Sequence, residues 1–376
     1  MKNFKSVKML KDKNARSKRK MISILLLLVL IVSVVTFAAF LNNSSQQTKQ
    51  IDSTQNLGTV VDNDEQDSSQ NATAARARNA IAAVDNDEIK FTSDGTPFLI
   101  NPNRLRGGGP PKDGMPSIDD PKFISVEDAD KWLSDDEFGL AIIHKGVKRF
   151  YSFQVLVWHE IVNDVIAGDP LLVTYCPLCG SGIVFERTID GEEVEFGTSG
   201  KLFNSNLVMY DRKTDTYWTQ IGGRAIIGTL TGKELKQFPA DVTTWGEWKK
   251  VHPDSEVLSR DTGSRRQYGT EPYGNYYESR RLISPVEDSD DSLHPKAVVF
   301  GIKVNGSFKA YTEFDVKAAK VIEDTVNGVN IKIERDDAGI VTFTNLETNE
   351  RIPHDREFWF AWFAFHTETK LYTLLE

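Results

Sequence analysis

The chain contains two cysteines, three positions apart: Cys176-Pro177-Leu178-Cys179. Two thiols at this spacing can chelate one soft metal ion, cycle between dithiol and disulfide, or form a static bridge. The static bridge is a weak staple, because closing so small a loop removes only about 2 kcal/mol of unfolded-state entropy. A tetrahedral metal site needs more donors, and no second Cys-x-x-Cys is present. His159 is the candidate third ligand; two thiolates and an imidazole suit zinc or, with Met209 as a thioether donor, copper(I). Cys176 as a nucleophile, His159 as its base and Asn163 as orienting group also have the required chemical types, although the second thiol would trap the first. The candidate set is therefore Cys176, Cys179 and His159, with Glu160, Asn163 and Asp164 behind them. Metal binding, redox cycling and an inert pair all remain open at this level.

These side chains need elements to place them. Residues 153–164 have helical character, which would put His159 and Asn163 on one face at i, i+4. A short apolar strand, 171–175, delivers Cys176 at its end. Gly180-Ser181-Gly182 then leads into another strand, whereas a thioredoxin-type pair opens a helix. Residues 183–196 read as a hairpin turning at Asp190-Gly191, and 206–220 repeat that pattern around 212–215. Ser125-x-x-Asp128 and Thr244-x-x-Glu247 are cap signatures of short helices, and the aromatic run 358–365 reads as a core helix.

Residues 146–168 align without gaps onto residues 306–328, at an offset of 160. Gly146, Tyr151, Asp164 and Gly168 match Gly306, Tyr311, Asp324 and Gly328. The expectation is an internal duplication, in which shared residues are architecture. Trp158, His159, Glu160, Asn163, Cys176 and Cys179 meet Ala318, Ala319, Lys320, Glu323, Asp336 and Gly339 in the second copy. Chemistry special to the first copy therefore points at the same candidate set.

The 376 residues carry a formal net charge of −9, distributed unevenly. Residues 1–20 hold nine basic side chains against one acid, so the remainder is strongly acidic and would repel a phosphate backbone; no nucleic-acid partner is expected. Residues 21–41 are apolar and uncharged, long enough at about 1.5 Å per residue to cross a core of roughly 30 Å. The basic cluster before them would stay cytoplasmic, giving a single-pass, membrane-anchored protein with its bulk extracellular or periplasmic; a cleaved signal peptide is the alternative. Residues 42–94, rich in Ser, Gln, Asn, Asp and Thr, read as a flexible stalk. The expected organisation is a cytoplasmic tail (1–20), a transmembrane signal-anchor (21–41), the stalk (42–94) and an ectodomain (95–376) with halves at about 95–260 and 261–376. The expected fold class is α+β, strand-rich, with two related halves and one N-terminal transmembrane helix.

The segment 265–281 mixes four Arg with Tyr268, Tyr273, Tyr276 and Tyr277. It could bind an anion or glycan, or simply be a long loop pinned by aromatic packing. Four motifs in register, at 108–114 (GGPPKDG), 158–164 (WHEIVND), 175–180 (YCPLCG) and 206–212 (NLVMYDR), resemble the family catalogued as domain of unknown function 3179. The resemblance runs from about residue 106 to the C-terminus. It implies a secreted or membrane-anchored protein, family hallmarks at the His-Glu and Cys-x-x-Cys segments, and a third such segment containing Ser199, Asn204, Asp211, Trp218 and Gln220. It implies no established activity or cofactor. The reading that follows is a soft-metal site for copper or zinc, with an extracytoplasmic thiol–disulfide oxidoreductase and a non-enzymatic ligand-binding or structural ectodomain as alternatives.

Overall fold

The computed structural model describes residues 89–373. The tail, the 21–41 anchor and most of the stalk lie outside the described residues. Among the described residues no helix is long and apolar enough to cross a membrane.

Strands dominate, at 41% against 12% helix, and the sheets stand in a propeller-like arrangement. This replaces the expected α+β fold with two related halves. The physical reason is visible in the segment lengths. Among the described residues each α-helix has only four to seven residues, such as Val126–Ala129 and Trp359–Phe365, too short to form a layer of its own. Between them, β-branched and aromatic residues fill short strands joined by tight turns. At Asp190 and Gly191 the φ angles of 53° and 81° match the left-handed turn expected from Asp-Gly. The expected caps form as well: Ser125 Oγ accepts from the Asp128 amide and Thr244 Oγ1 from that of Glu247.

Five larger sheets carry the described residues. One pairs Phe138–His144 with Val147–Ser152 and takes in Asp241–Thr244, Glu256–Leu258 and Phe123–Ile124. The next contains Ile161–Ile166, Asp169–Cys176, Ser181–Glu186 and Gln237–Phe238. A seven-stranded sheet is built mainly on Phe196–Phe203, Asn206–Asp211 and Tyr217–Thr219. The last two hold Val298–Val304 with Ser307–Thr312, His354–Phe358 and Lys370–Leu371, and Val321–Val326 with Val329–Arg335, Val341–Asn345 and Arg351–Ile352.

The segments at offset 160 share one order of elements: hairpin, short helix, then a three-stranded meander. In both, a tyrosine hydroxyl donates to the matching carboxylate, Tyr151 to Asp164 and Tyr311 to Asp324. Yet this unit spans parts of two sheets and leaves the seven-stranded sheet without a counterpart, so it does not divide the molecule in half.

Asp164 is buried and also takes a 2.7 Å ion pair from Arg149. Tyr151→Phe leaves that pair in place and removes one hydrogen bond to a buried carboxylate. The expected loss is about 1 to 2 kcal/mol of stability, read from the denaturant midpoint. An unchanged midpoint would show that the tyrosine–aspartate bond does not hold this sheet to its neighbour strand.

Candidate functional site

Strand Asp169–Cys176 pairs with Ser181–Glu186, with Cys176 opposite Ser181, so the Cys-x-x-Cys is the turn of a hairpin. The Cys179 amide donates to the Cys176 carbonyl at 3.1 Å. The same turn recurs at the offset of 160, where the Gly339 amide donates to the Asp336 carbonyl, but without sulfur. Gly180 has φ 60°, and a Cβ on it would come within 2.8 Å of the Phe358 ring. A side chain there would meet both backbone strain and a clash.

Both cysteines are free and buried, at 1% and 0% exposure, with their sulfurs 3.0 Å apart. Asn206 Nδ2 donates to Cys179 Sγ at 3.5 Å and to Gln220 Oε1 at 2.8 Å. Gln220 in turn donates to Thr174 Oγ1 and to the Ser181 carbonyl and hydroxyl. Burial raises the Cys176 thiol, but the Cys179 S–H, the backbone amides of Leu207 and Cys179 and the Asn206 amide outweigh it and bring it below its usual range. Cys179, buried beside that developing anion, goes well up. The two thiols therefore ionise as a coupled pair, in which a charge on Cys176 opposes a second one on Cys179.

Two carboxyls adjoin the pair. Glu160 and Glu357 are buried, and both are raised well above the carboxylate range, chiefly by burial; Cys176 pushes each further up, as does Asp355 for Glu357. Neither oxygen of Glu357 makes a well-aligned hydrogen bond, the Ser181 hydroxyl being the polar group that faces the carboxyl. The neighbouring Phe358 amide donates to the Cys179 carbonyl at 2.8 Å, which ties the end of strand His354–Phe358 to the turn.

The expected helix over 153–164 ends far earlier. Helix Phe153–Leu156 has four residues; Glu160 then adopts φ 60°, and Ile161–Ile166, rich in β-branched residues, forms a strand. His159 and Asn163 consequently do not share a helical face. His159 is buried with both ring nitrogens engaged, Nδ1 with the Pro116 carbonyl at 2.7 Å and Nε2 with the Tyr268 hydroxyl at 2.6 Å. Burial lowers its pKa, which suits a neutral ring donating at Nδ1 and accepting at Nε2. Asn163 exchanges hydrogen bonds with the backbone of Phe196 and donates to Asp119, while Asp164 serves Tyr151 and Arg149. Of the sequence candidates, Cys176, Cys179 and Glu160 come together; His159, Asn163 and Asp164 knit the surrounding strands and loops. Among the described residues no group of three or more His, Cys, Asp or Glu side chains is arranged to hold a metal ion.

The segment 265–281 folds over this region. Tyr276 donates to the Leu178 carbonyl at 2.8 Å, inside the Cys-x-x-Cys turn, and Tyr277 packs on Phe358. A cavity of about 440 Å³ opens against the turn, with Gly180, Tyr175, Phe153, Tyr277 and Phe358 in its walls. Sequence reasoning missed Glu357, Asn206 and Tyr276. Glu357 carries no motif, its one signal being a lone acid at the head of an aromatic run; Asn206 and Tyr276 lay within segments already marked for other reasons.

His159→Ala removes the hydrogen bonds of a buried ring to Pro116, Tyr268 and Thr262. The expected cost is about 2 to 4 kcal/mol in the unfolding midpoint, with both thiols still countable as free after denaturation. A change in the titration of the Cys176 thiol in this variant, with stability retained, would instead tie His159 to the sulfurs.

No curated protein and no solved structure matches this sequence. Residues 112–369, well over half of the chain, match the family described as Protein of unknown function (DUF3179), a span that contains the dithiol turn, Glu357 and most of the loop-and-sheet frame around them. The chain belongs to that family.

Proposed function

We propose that this protein is a membrane-anchored, extracytoplasmic dithiol–disulfide redox protein whose reacting groups are Cys176 and Cys179. The observation that carries the reading is a free pair of buried sulfurs 3.0 Å apart, within hydrogen-bond reach of one another, so that a thiolate on Cys176 is stabilised first by the Cys179 side chain. Closing to a bond of about 2.05 Å requires only a small sulfur displacement. Two thiolates on one zinc at about 2.3 Å and a tetrahedral angle would stand about 3.8 Å apart, so 3.0 Å lies between the disulfide and chelate spacings; what favours the bridge is that His159, the candidate third ligand, has both ring nitrogens engaged by Pro116 and Tyr268.

The oxidant in this reading is a disulfide of a partner. The Cys176 thiolate attacks one partner sulfur, a mixed disulfide forms, and the first partner thiolate leaves. Cys179 then loses its proton and attacks the Cys176 sulfur, forming the internal bridge and releasing the second partner thiolate. Two electrons pass to the partner, and both thiol protons end on its two sulfurs. The cavity beside Gly180 is where a partner disulfide would approach. With the sulfurs essentially without solvent exposure, the tyrosines of 265–281 must swing aside for each turnover.

The test is incubation of the full-length protein in glutathione buffers of graded potential, counting free thiols after acid quench. The pair is expected to convert together, as one two-electron couple, and Cys179→Ser is expected to accumulate a mixed disulfide on Cys176. Retention of stoichiometric copper or zinc by the purified protein, lost in Cys176→Ser, would overturn the redox reading, as would a pair inert across the whole potential range.

A further inference from the structure

The redox reading leaves a physical problem. Oxidising the dithiol moves the Cys179 proton, and any proton still on Cys176, out of a site with almost no solvent exposure, since Cys176 and Cys179 are 1% and 0% exposed. Glu357 is the buried acid placed to take them. It is 0% exposed, neither of its oxygens makes a well-aligned hydrogen bond, the Ser181 hydroxyl being the polar group that faces them, and the strand carrying it is pinned to the dithiol turn through the Phe358–Cys179 backbone bond. A buried carboxyl so weakly satisfied costs stability.

The strand supplies a continuation. Side chains two apart point to the same side of a strand, about 7 Å from one another, so Asp355 lies next along the face of Glu357. Asp355 accepts from Gln237 Nε2 at 2.9 Å and lines a separate cavity of about 580 Å³ whose rim includes the exposed Glu234 and Lys303. The intervening Arg356 is committed elsewhere, to Glu313 at 2.7 Å. The titratable groups facing Glu357 are thus Asp355 on its own strand and Cys176 and Cys179 on the turn, with the Ser181 hydroxyl from the adjoining strand. Val299 is its apolar partner across the sheet.

We propose, building on the redox reading, that Glu357 exchanges protons directly with the dithiol and that Asp355 passes them to the 580 Å³ cavity. In the oxidative direction Glu357 gives its proton outward through Asp355 and, as carboxylate, accepts the proton of Cys179, freeing that sulfur to attack the mixed disulfide. Each proton leaving by this route is matched by one taken up by a partner thiolate, so the step balances without a further reactant. Burial and the neighbouring charges set the acids to such a role: Glu357 is pushed well above the carboxylate range by burial, by Asp355 and by Cys176, and Asp355 is raised to about 6 by burial.

The experiment follows oxidation of the reduced full-length protein by excess oxidised glutathione, quenched at intervals with denaturant and alkylating agent, across pH 6 to 9. Glu357→Gln keeps shape and removes the acid; it is expected to slow oxidation at pH 7 by at least about tenfold and to make the rate climb with pH, as hydroxide replaces the missing acceptor. Asp355→Asn is expected to slow it less, in the same pH-dependent manner. A merely structural defect would lower the rate without steepening its pH profile. If the wild-type protein oxidises while Glu357→Gln matches it in rate and pH profile, the proton route is wrong and the redox reading stands. If the wild-type pair does not oxidise at all, the redox reading falls, and the proton route with it.

Discussion

The amide of Phe358 donating to the carbonyl of Cys179 joins two sheets that have no other ladder in common, and the dithiol site depends on it. That bond sets Phe358 against Gly180, closes the apolar roof over the sulfurs and leaves Glu357 next in line beside them. Because the turn is buried, every polar group in it must be satisfied from within the protein. The Tyr276 hydroxyl on Leu178, the Asn206 amide on Cys179 and the Asn206–Gln220–Ser181 chain meet that demand. Glu357 and the Ser205 hydroxyl, on the residue whose carbonyl faces both sulfurs, do not have their demand fully met.

The remaining elements serve this arrangement. His159 holds the loop carrying Tyr268 by its Nε2 and the 116 region by its Nδ1, so it anchors the cover of the site from the opposite side. Asn163 and Asp164 tie their strand to Phe196 and to Tyr151 and Arg149. The Tyr-rich segment reads in the end as a pinned cover: its aromatic rings pack inward, and Arg266 donates to the Gly114 carbonyl.

The two segments at an offset of 160 share local backbone geometry. Glu160 and Lys320 share the same left-handed φ, 60° and 61°, at the bend between helix and strand. The Cys176–Cys179 turn and the Asp336–Gly339 turn share the same backbone hydrogen bond. One backbone scaffold thus occurs with sulfur and without it, and the buried acids Glu160 and Glu357 accompany only the sulfur-bearing turn.

The sequence by itself determined what short-range chemistry controls: the hairpin turn at Asp190-Gly191, the helix caps at Ser125 and Thr244, the strand that ends at Cys176 and the pairing of two thiols in one turn. These follow from neighbours within four residues. It misjudged residues 153–164, where a left-handed Glu160 and β-branched strand residues override helical periodicity, because an apolar run of that length fits a short helix or a buried strand equally well; the helix expected over 358–365 forms as Trp359–Phe365. Only the tertiary structure decided which groups meet the sulfurs. Glu357 lies far along the chain from Cys179, and His159, close in sequence, is drawn away by Pro116 and Tyr268. The order of sheets around the propeller-like body sets those meetings, and no local pattern of residues encodes that order.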